Sequence, residues 1–172
     1  MSKSFNISII PNLFTLSNLL LGILALILTM DNQFRLAAFL ILISVVLDAM
    51  DGKVARRLDA TTSFGKELDS LSDLVSFGVA PAILLYASVL QGGFGVFGLA
   101  VAVSFALCGA IRLARFNTLN ITDYFIGVPI TFAGGVVALI IATGIALPTW
   151  FYLVLTAVLA YLMISNFRVP KF

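Results

Sequence analysis

The sequence predicts an all-α integral membrane protein of six transmembrane helices, with both termini in the cytoplasm. Three observations carry that prediction. The chain has 172 residues, of which 61% are hydrophobic and only 10% charged. A soluble domain carries about 25% charged and about 45–50% apolar residues, so a chain this apolar has lipid as its natural solvent. Its apolar runs match a bilayer core, which asks for roughly 20 helical residues per crossing. Its basic residues, finally, gather on one side of those runs.

Taken in order, the first span covers about 13–30, opened by Pro11 and closed near Asp31-Asn32. Only Lys3 precedes it and no small-residue cleavage pattern follows, so it reads as a mature helix rather than a secretory signal. The second begins near Leu36 and runs through Val46 and Leu47 into the charged stretch after Asp48. The third covers about 66–90, the fourth about 94–115, the fifth about 124–147 and the sixth about 149–166. Gly92-Gly93 and Pro148 punctuate tight turns between spans. No linker, low-complexity stretch or repeat divides the chain, and a single domain over 1–172 is expected.

If the spans alternate, Lys3, Lys53, Arg56, Arg57, Lys66, Arg112, Arg115, Arg168 and Lys171 share one side, and Arg35 stands alone on the other. The basic side is cytoplasmic, which sets the orientation of a multi-pass protein of the cell membrane. Net charge is only +2 and the cations form no patch on a soluble face, so nucleic acid is excluded as a partner. The chain has no histidine. Zinc sites and triads built on imidazole are therefore closed to it, and any metal site or general base must come from carboxylates. Cys108 stands alone in an apolar stretch and reads as a buried inert thiol.

Ionisable groups in apolar helices are costly, at least roughly 2.5–3.5 kcal/mol per Asp at the bilayer centre. Asp48, Asp51, Asp69 and Asp73 nevertheless stand at the ends of spans two and three. On a helix Asp48 and Asp51 lie roughly 60° apart and Asp69 and Asp73 roughly 40° apart, so each pair points from one face. Two neighbouring helices would then converge four negative charges, which demand cations or protons. Hard oxygen ligands favour magnesium, manganese or calcium. Singly, each of the four would pass for a solvated loop carboxylate, as Asp59 and Glu67 do.

The residues between them decide otherwise. The stretch reads Asp48-x-x-Asp51-Gly52-x-x-Ala55-Arg56, then eight residues, then Gly65-x-x-x-Asp69-x-x-x-Asp73. This resembles the signature of the CDP-alcohol phosphotransferase family, with the same residue types at the same spacing, and the six-span hydropathy agrees with that family's fold. The resemblance implies a dinuclear site for two divalent ions, Mg2+ or Mn2+. Asp48, Asp51 and Asp69 would be ligands, and Asp73 would both bind metal and take the proton of the attacking alcohol. It also implies a homodimer. Gly52 and Gly65 would let phosphate or cytosine approach the backbone, and Arg56 would supply a fork for a phosphate oxygen. Asn12, Thr15 and Asn18 line one end of span one, where they could reach the cytidine or its phosphates, cap the helix or make interhelical contacts.

Three shorter stretches look like the phosphatidylserine synthase branch of that family: Leu74-Val75-Ser76-Phe77-Gly78-Val79-Ala80-Pro81, Arg112-Leu113-Ala114-Arg115-Phe116-Asn117 and Phe125-Ile126-Gly127-Val128-Pro129. The branch implies transfer of a phosphatidyl group from CDP-diacylglycerol, or an ether-lipid analogue, to L-serine, giving phosphatidylserine and CMP. Arg112 and Arg115 could hold the serine carboxylate, the phosphate of glycerol 3-phosphate, or simply anchor span four. Ser72, Ser76 and Asn117 could bond the acceptor or join helices. Pro81 and Pro129 are expected to kink spans three and five. Small-residue ladders at Gly98, Ala102, Ala106, Ala110 and at Gly134, Ala138, Ala142, Ala146 permit close helix contact within a monomer or across a dimer. Two other functions fit parts of the pattern: a phosphatidylglycerol phosphate synthase, and a small cation transporter using the acids as a pathway.

Overall fold

In lipid every backbone N–H and C=O must be satisfied inside its own segment, so apolar runs become helices and interruptions become turns. A computed structural model describes residues 9–57, 62–119, 124–165 and 168–170. Helix α1 is Ile9–Met30 and α2 is Phe34–Arg57. Between them Asn32 adopts φ 60°, a conformation asparagine tolerates better than most residues. Its N–H and that of Gln33 close the last carbonyls of α1, donating to Thr29 and Leu28 at 3.1 and 2.8 Å. The two helices pack side by side.

A long composite rod follows. It consists of α3 (Ser63–Asp73), a π-helical segment Leu74–Val79, α4 (Ala80–Leu85) and a second π segment Tyr86–Leu90. Pro81 explains the first widening. Its ring would collide with the carbonyl four residues back in a regular helix. Instead the turn before it opens to i→i−5 bonding, with the Ala80 N–H donating to Val75, so the expected kink takes the form of a π segment. Helix α5 (Gln91–Leu119) contains one non-helical residue, Gly95, at φ 49° and ψ −121°. The chain doubles back there, since α5 packs along both π segments and α4. The turn expected at Gly92-Gly93 thus falls at Gly95, the glycine that takes the left-handed φ.

Helix α6 is Ile130–Thr143 and α7 is Thr149–Ile164. Residues Tyr124–Ile126, expected inside span five, instead form strand β1, paired antiparallel with β2 (Arg168–Pro170). Gly127 at φ 70°, and Pro129, which drives the residue before it away from helical angles, hold the helix start back to Ile130. Apart from this pair of three-residue strands the described chain is helical, consistent with an all-α membrane protein. By length and composition, Asn12–Met30 and the run Ser63–Thr118 are long and apolar enough to cross a bilayer. Helices α6 and α7 have 14 and 16 residues, so at about 1.5 Å per residue a crossing of a core of about 30 Å would draw on the residues flanking them as well.

The composite rod is central, with α1, α2, α5 and α6 all against it. Phe77, Ala80, Leu84, Leu85 and Leu90 are buried along it. Lipid gives helices little hydrophobic reason to associate, so close contact and hydrogen bonds hold them together. Two glycines clamp the first π segment. A Cβ on Gly22 of α1 would lie 2.9 Å from Ser76 Cα, and one on Gly134 of α6 would lie 2.8 Å from Phe77 Cα. The Gly98 ladder is likewise used within the chain, because a Cβ there would come 2.9 Å from the Leu90 carbonyl. A polar seam joins the same elements. Ser44 and Ser76 both donate to the Asn18 carbonyl, at 3.3 and 3.0 Å, and Ser72 donates to the Thr15 carbonyl at 3.1 Å. On the outside, Leu13, Leu16, Leu20, Ile23, Leu24 and Ile27 make an exposed apolar stripe on α1.

At the far end from the acids, the Arg35 guanidinium lies against Gly144. Gly144 is the left-handed C-cap of α6, where a cation favours the negative end of the helix dipole.

Candidate functional site

Helix α3 begins at Thr62, whose hydroxyl accepts the Gly65 N–H at 3.0 Å. This cap sets the helical register from which Asp69 and Asp73, four residues apart, face the same way. Asp48 comes to meet them from α2. One carboxylate oxygen from each of Asp48, Asp69 and Asp73 lies within 4.8 Å of the others. Asp73 is buried and the other two half-buried, and the Asp48 and Asp73 carboxyls stand within hydrogen-bond reach of each other. Two unit charges at 4.8 Å repel by about 3–4 kcal/mol even at an effective dielectric of about 20. Three such groups together call for a compensating charge.

A divalent cation fits that demand. Oxygens ligating one Mg2+ at about 2.0–2.1 Å are at most about 4.2 Å apart, so the three oxygens, within 4.8 Å of one another, need draw together by only a few tenths of an ångström to share an ion. The donor set is all oxygen, which suits magnesium or manganese and not zinc. Asp51 belongs to α2, one turn beyond Asp48, but its side chain and that of Arg56 lie outside the described residues.

The two glycines proposed for substrate approach differ in surroundings. A Cβ on Gly52 would meet nothing within 4 Å among the described residues, while one on Gly65 would meet Asn12 Oδ1 and Thr62 Oγ1, each at 3.1 Å. Asn12 and Gly65 are therefore neighbours, bringing the start of α1 to the start of α3. Thr15 is buried one turn further along α1. Deeper still, Asn18 is fully buried, and neither atom of its side-chain amide has a partner among the described residues.

The proposed acceptor residues separate into two groups. Arg112 is half-buried and close enough to Asp73 for the two charges to interact. Arg115 turns away, its Nη1 donating to the Ile164 carbonyl at the end of α7 at 3.0 Å. Asn117 donates to Ser70 Oγ at 3.0 Å and approaches the Glu67 carboxylate at 3.5 Å, joining α5 to the opposite face of α3. Ser76, fully buried, directs its hydroxyl to Asn18 as described.

One neighbour of the cluster is missed by sequence reasoning. Thr131, in the first turn of α6, donates from Oγ1 to Asp48 Oδ2 at 3.3 Å. It lies 83 residues from Asp48, and its only sequence signal is a hydroxyl placed just after Pro129.

Similarity to known proteins covers nearly the whole chain. A sequence model of the family described as CDP-alcohol phosphatidyltransferase matches residues 8–164. The CDP-diacylglycerol–serine O-phosphatidyltransferase of Helicobacter pylori is 40% identical over 171 residues, covering 94% of this chain and 72% of the relative. The Bacillus subtilis protein of the same name is 37% identical over 164 residues, covering 95% of this chain and 90% of its own. The archaetidylserine synthase of Methanothermobacter thermautotrophicus is 37% identical over 166 residues, covering 94% and 70% respectively.

Proposed function

The chain belongs to the CDP-alcohol phosphatidyltransferase family, and on that premise we propose that it transfers the phosphatidyl group of CDP-diacylglycerol to L-serine, giving phosphatidylserine and CMP. The observation that carries this reading is the convergence of Asp48, Asp69 and Asp73, with the Arg112 charge close enough to interact with Asp73. Relatives named for serine transfer, at 37–40% identity over most of the chain, support the acceptor.

Asp48, Asp51, Asp69 and Asp73 would hold the divalent ions, Asp73 being also the group placed to take the substrate's proton. Bound there, two ions of Mg2+ or Mn2+ supply Lewis acidity at the pyrophosphate. Asp73 takes the proton of the serine hydroxyl. The freed oxygen forms a bond to the phosphorus that bears the diacylglycerol, and the pyrophosphate bridge to CMP breaks. Arg112 holds the serine carboxylate through its planar fork. Gly52, Gly65, Asn12, Thr15 and Arg56 line the approach for the CDP moiety. Arg115, Ser76 and Asn117 support the same site by tying α5 and the composite rod to their neighbours. The chain acts as one domain over 1–172, crosses the cell membrane six times with its acids toward the cytoplasm, and pairs as a homodimer.

The acceptor is tested directly. Purified protein given CDP-diacylglycerol should release CMP with L-serine and not with glycerol 3-phosphate; the reverse result would overturn the serine assignment. Arg112→Gln should raise KM for serine about 10–100-fold, the worth of a charge-assisted hydrogen bond, with little change in affinity for the CDP-lipid. Absence of CMP release with every alcohol, together with cation flux in liposomes, would favour the transporter reading.

Orientation is tested by labelling. With Cys108 replaced by Ser, a cysteine placed near Lys171 should react only from the cytoplasmic face, and one near Asn32 only from the outer face. Reaction of both from one face would overturn the six-span topology.

A further inference from the structure

The stretch Phe125-Ile126-Gly127-Val128-Pro129 marks a branch in the sequence, and its geometry gives it a task. Gly127 takes φ 70° and lies so close to α7 that a Cβ there would come 2.6 Å from the Met163 carbonyl. The next N–H, on Val128, donates to the Leu162 carbonyl at 3.2 Å. Pro129 then caps α6, accepting the Ala133 N–H at 3.0 Å. The start of α6 is thus fastened to the end of α7.

Further along, α6 is fixed between two other elements. Gly134 sits against the Phe77 backbone, and a Cβ on Gly135 would lie 3.3 Å from Val45 Cγ2 of α2. Neither contact leaves room for α6 to slide or rotate without a clash. Residue 131 is consequently held facing α2, and its hydroxyl reaches Asp48 Oδ2 at 3.3 Å. A hydroxyl donor on one carboxylate oxygen favours one rotation of the group while carboxylate lone pairs remain for a ligand. The amino-terminal end of α6 adds a positive dipole on the same side.

We propose that Thr131 is a positioning residue, aimed by the Gly127–Pro129 turn and the Gly134 contact, that orients Asp48 for divalent-cation binding. The inference rests on the reading of Asp48, Asp69 and Asp73 as a cation site. Outer partners of metal-binding carboxylates set affinity without touching the ion, typically by 10–100-fold.

The test uses Mn2+ itself. Its affinity for purified full-length protein is measured by electron paramagnetic resonance for wild type, Thr131→Val, Thr131→Ser and Asp48→Ala, and Tm is recorded in excess chelator. Val keeps the shape and removes the donor; it should weaken Mn2+ binding about 10–100-fold with Tm unchanged. Ser restores the donor and should bind within about threefold of wild type, a rescue that a packing role would not produce. Should Val fail to fold, Thr131→Ala supplies the same comparison. Wild-type affinity in Thr131→Val, with binding lost in Asp48→Ala, would overturn the role of Thr131 and leave the cation site standing. A drop in Tm without a change in affinity would overturn it too. Equal binding by wild type and Asp48→Ala, or none by either, would instead overturn the cation reading.

Discussion

Asp73→Asn is expected to bind Mg2+ and CDP-diacylglycerol almost as wild type does while turning over about 10²–10⁴-fold more slowly, the usual contribution of a general base. Asn keeps the size of the side chain and one acceptor oxygen and loses only the basicity. Asp73 is the most enclosed of the three carboxylates, 8% exposed, and stands within hydrogen-bond reach of Asp48. A proton received there would be shielded from solvent and beside the other two carboxylates of the cluster. The decisive measurement is CMP release across a magnesium titration, with nucleotide affinity measured in parallel. A low plateau with intact binding supports the base assignment. Recovery of near wild-type turnover at high magnesium would show that Asp73 acts as a ligand and that the base lies elsewhere.

Removal of divalent ions is expected to abolish CMP release altogether, and magnesium or manganese should restore it. Mutual repulsion of the carboxylates makes the reason physical: without cations, protons must take their place, and a protonated Asp73 accepts nothing from serine. Asp48→Ala and Asp69→Ala should each remove most activity for the same cause. Asp59→Ala should leave activity intact, because Asp59 falls outside the spacing. Full activity in excess chelator, with bound metal shown to be negligible, would remove the ions from the reaction.

Local periodicity made much of the site legible. Asp69 and Asp73 share a face because four residues make about one helical turn, and the cost of acids beside apolar helices singled them out with Asp48. The long runs gave α1, α2 and the composite rod within a few residues. Contacts distant in sequence were not legible. Arg112 and Arg115 look equivalent in the chain, yet one is close enough to Asp73 for their charges to interact and the other caps a helix whose last carbonyl, on Ile164, lies 49 residues away. The late start of α6 depends on a left-handed Gly127 lodged against α7. Apolar composition alone reads straight through it. The small-residue ladders left open contact within the chain or across a dimer, and the Gly98 and Gly134 contacts lie within the chain.

The Asn18 carbonyl, shared by hydroxyls from residues 44 and 76, bears on how the protein is made. Synthesis proceeds from the amino terminus, so Ser44 is available to the Asn18 carbonyl before Ser76 is. Asp48 likewise waits for residue 131 of a much later helix. The early hairpin is therefore a provisional pairing, and the arrival of the Ser72–Ser76 turn converts it into a three-helix unit around the acids. Asp69 and Asp73 arrive on the composite rod, so the three carboxylates come together only once it has joined the first two helices.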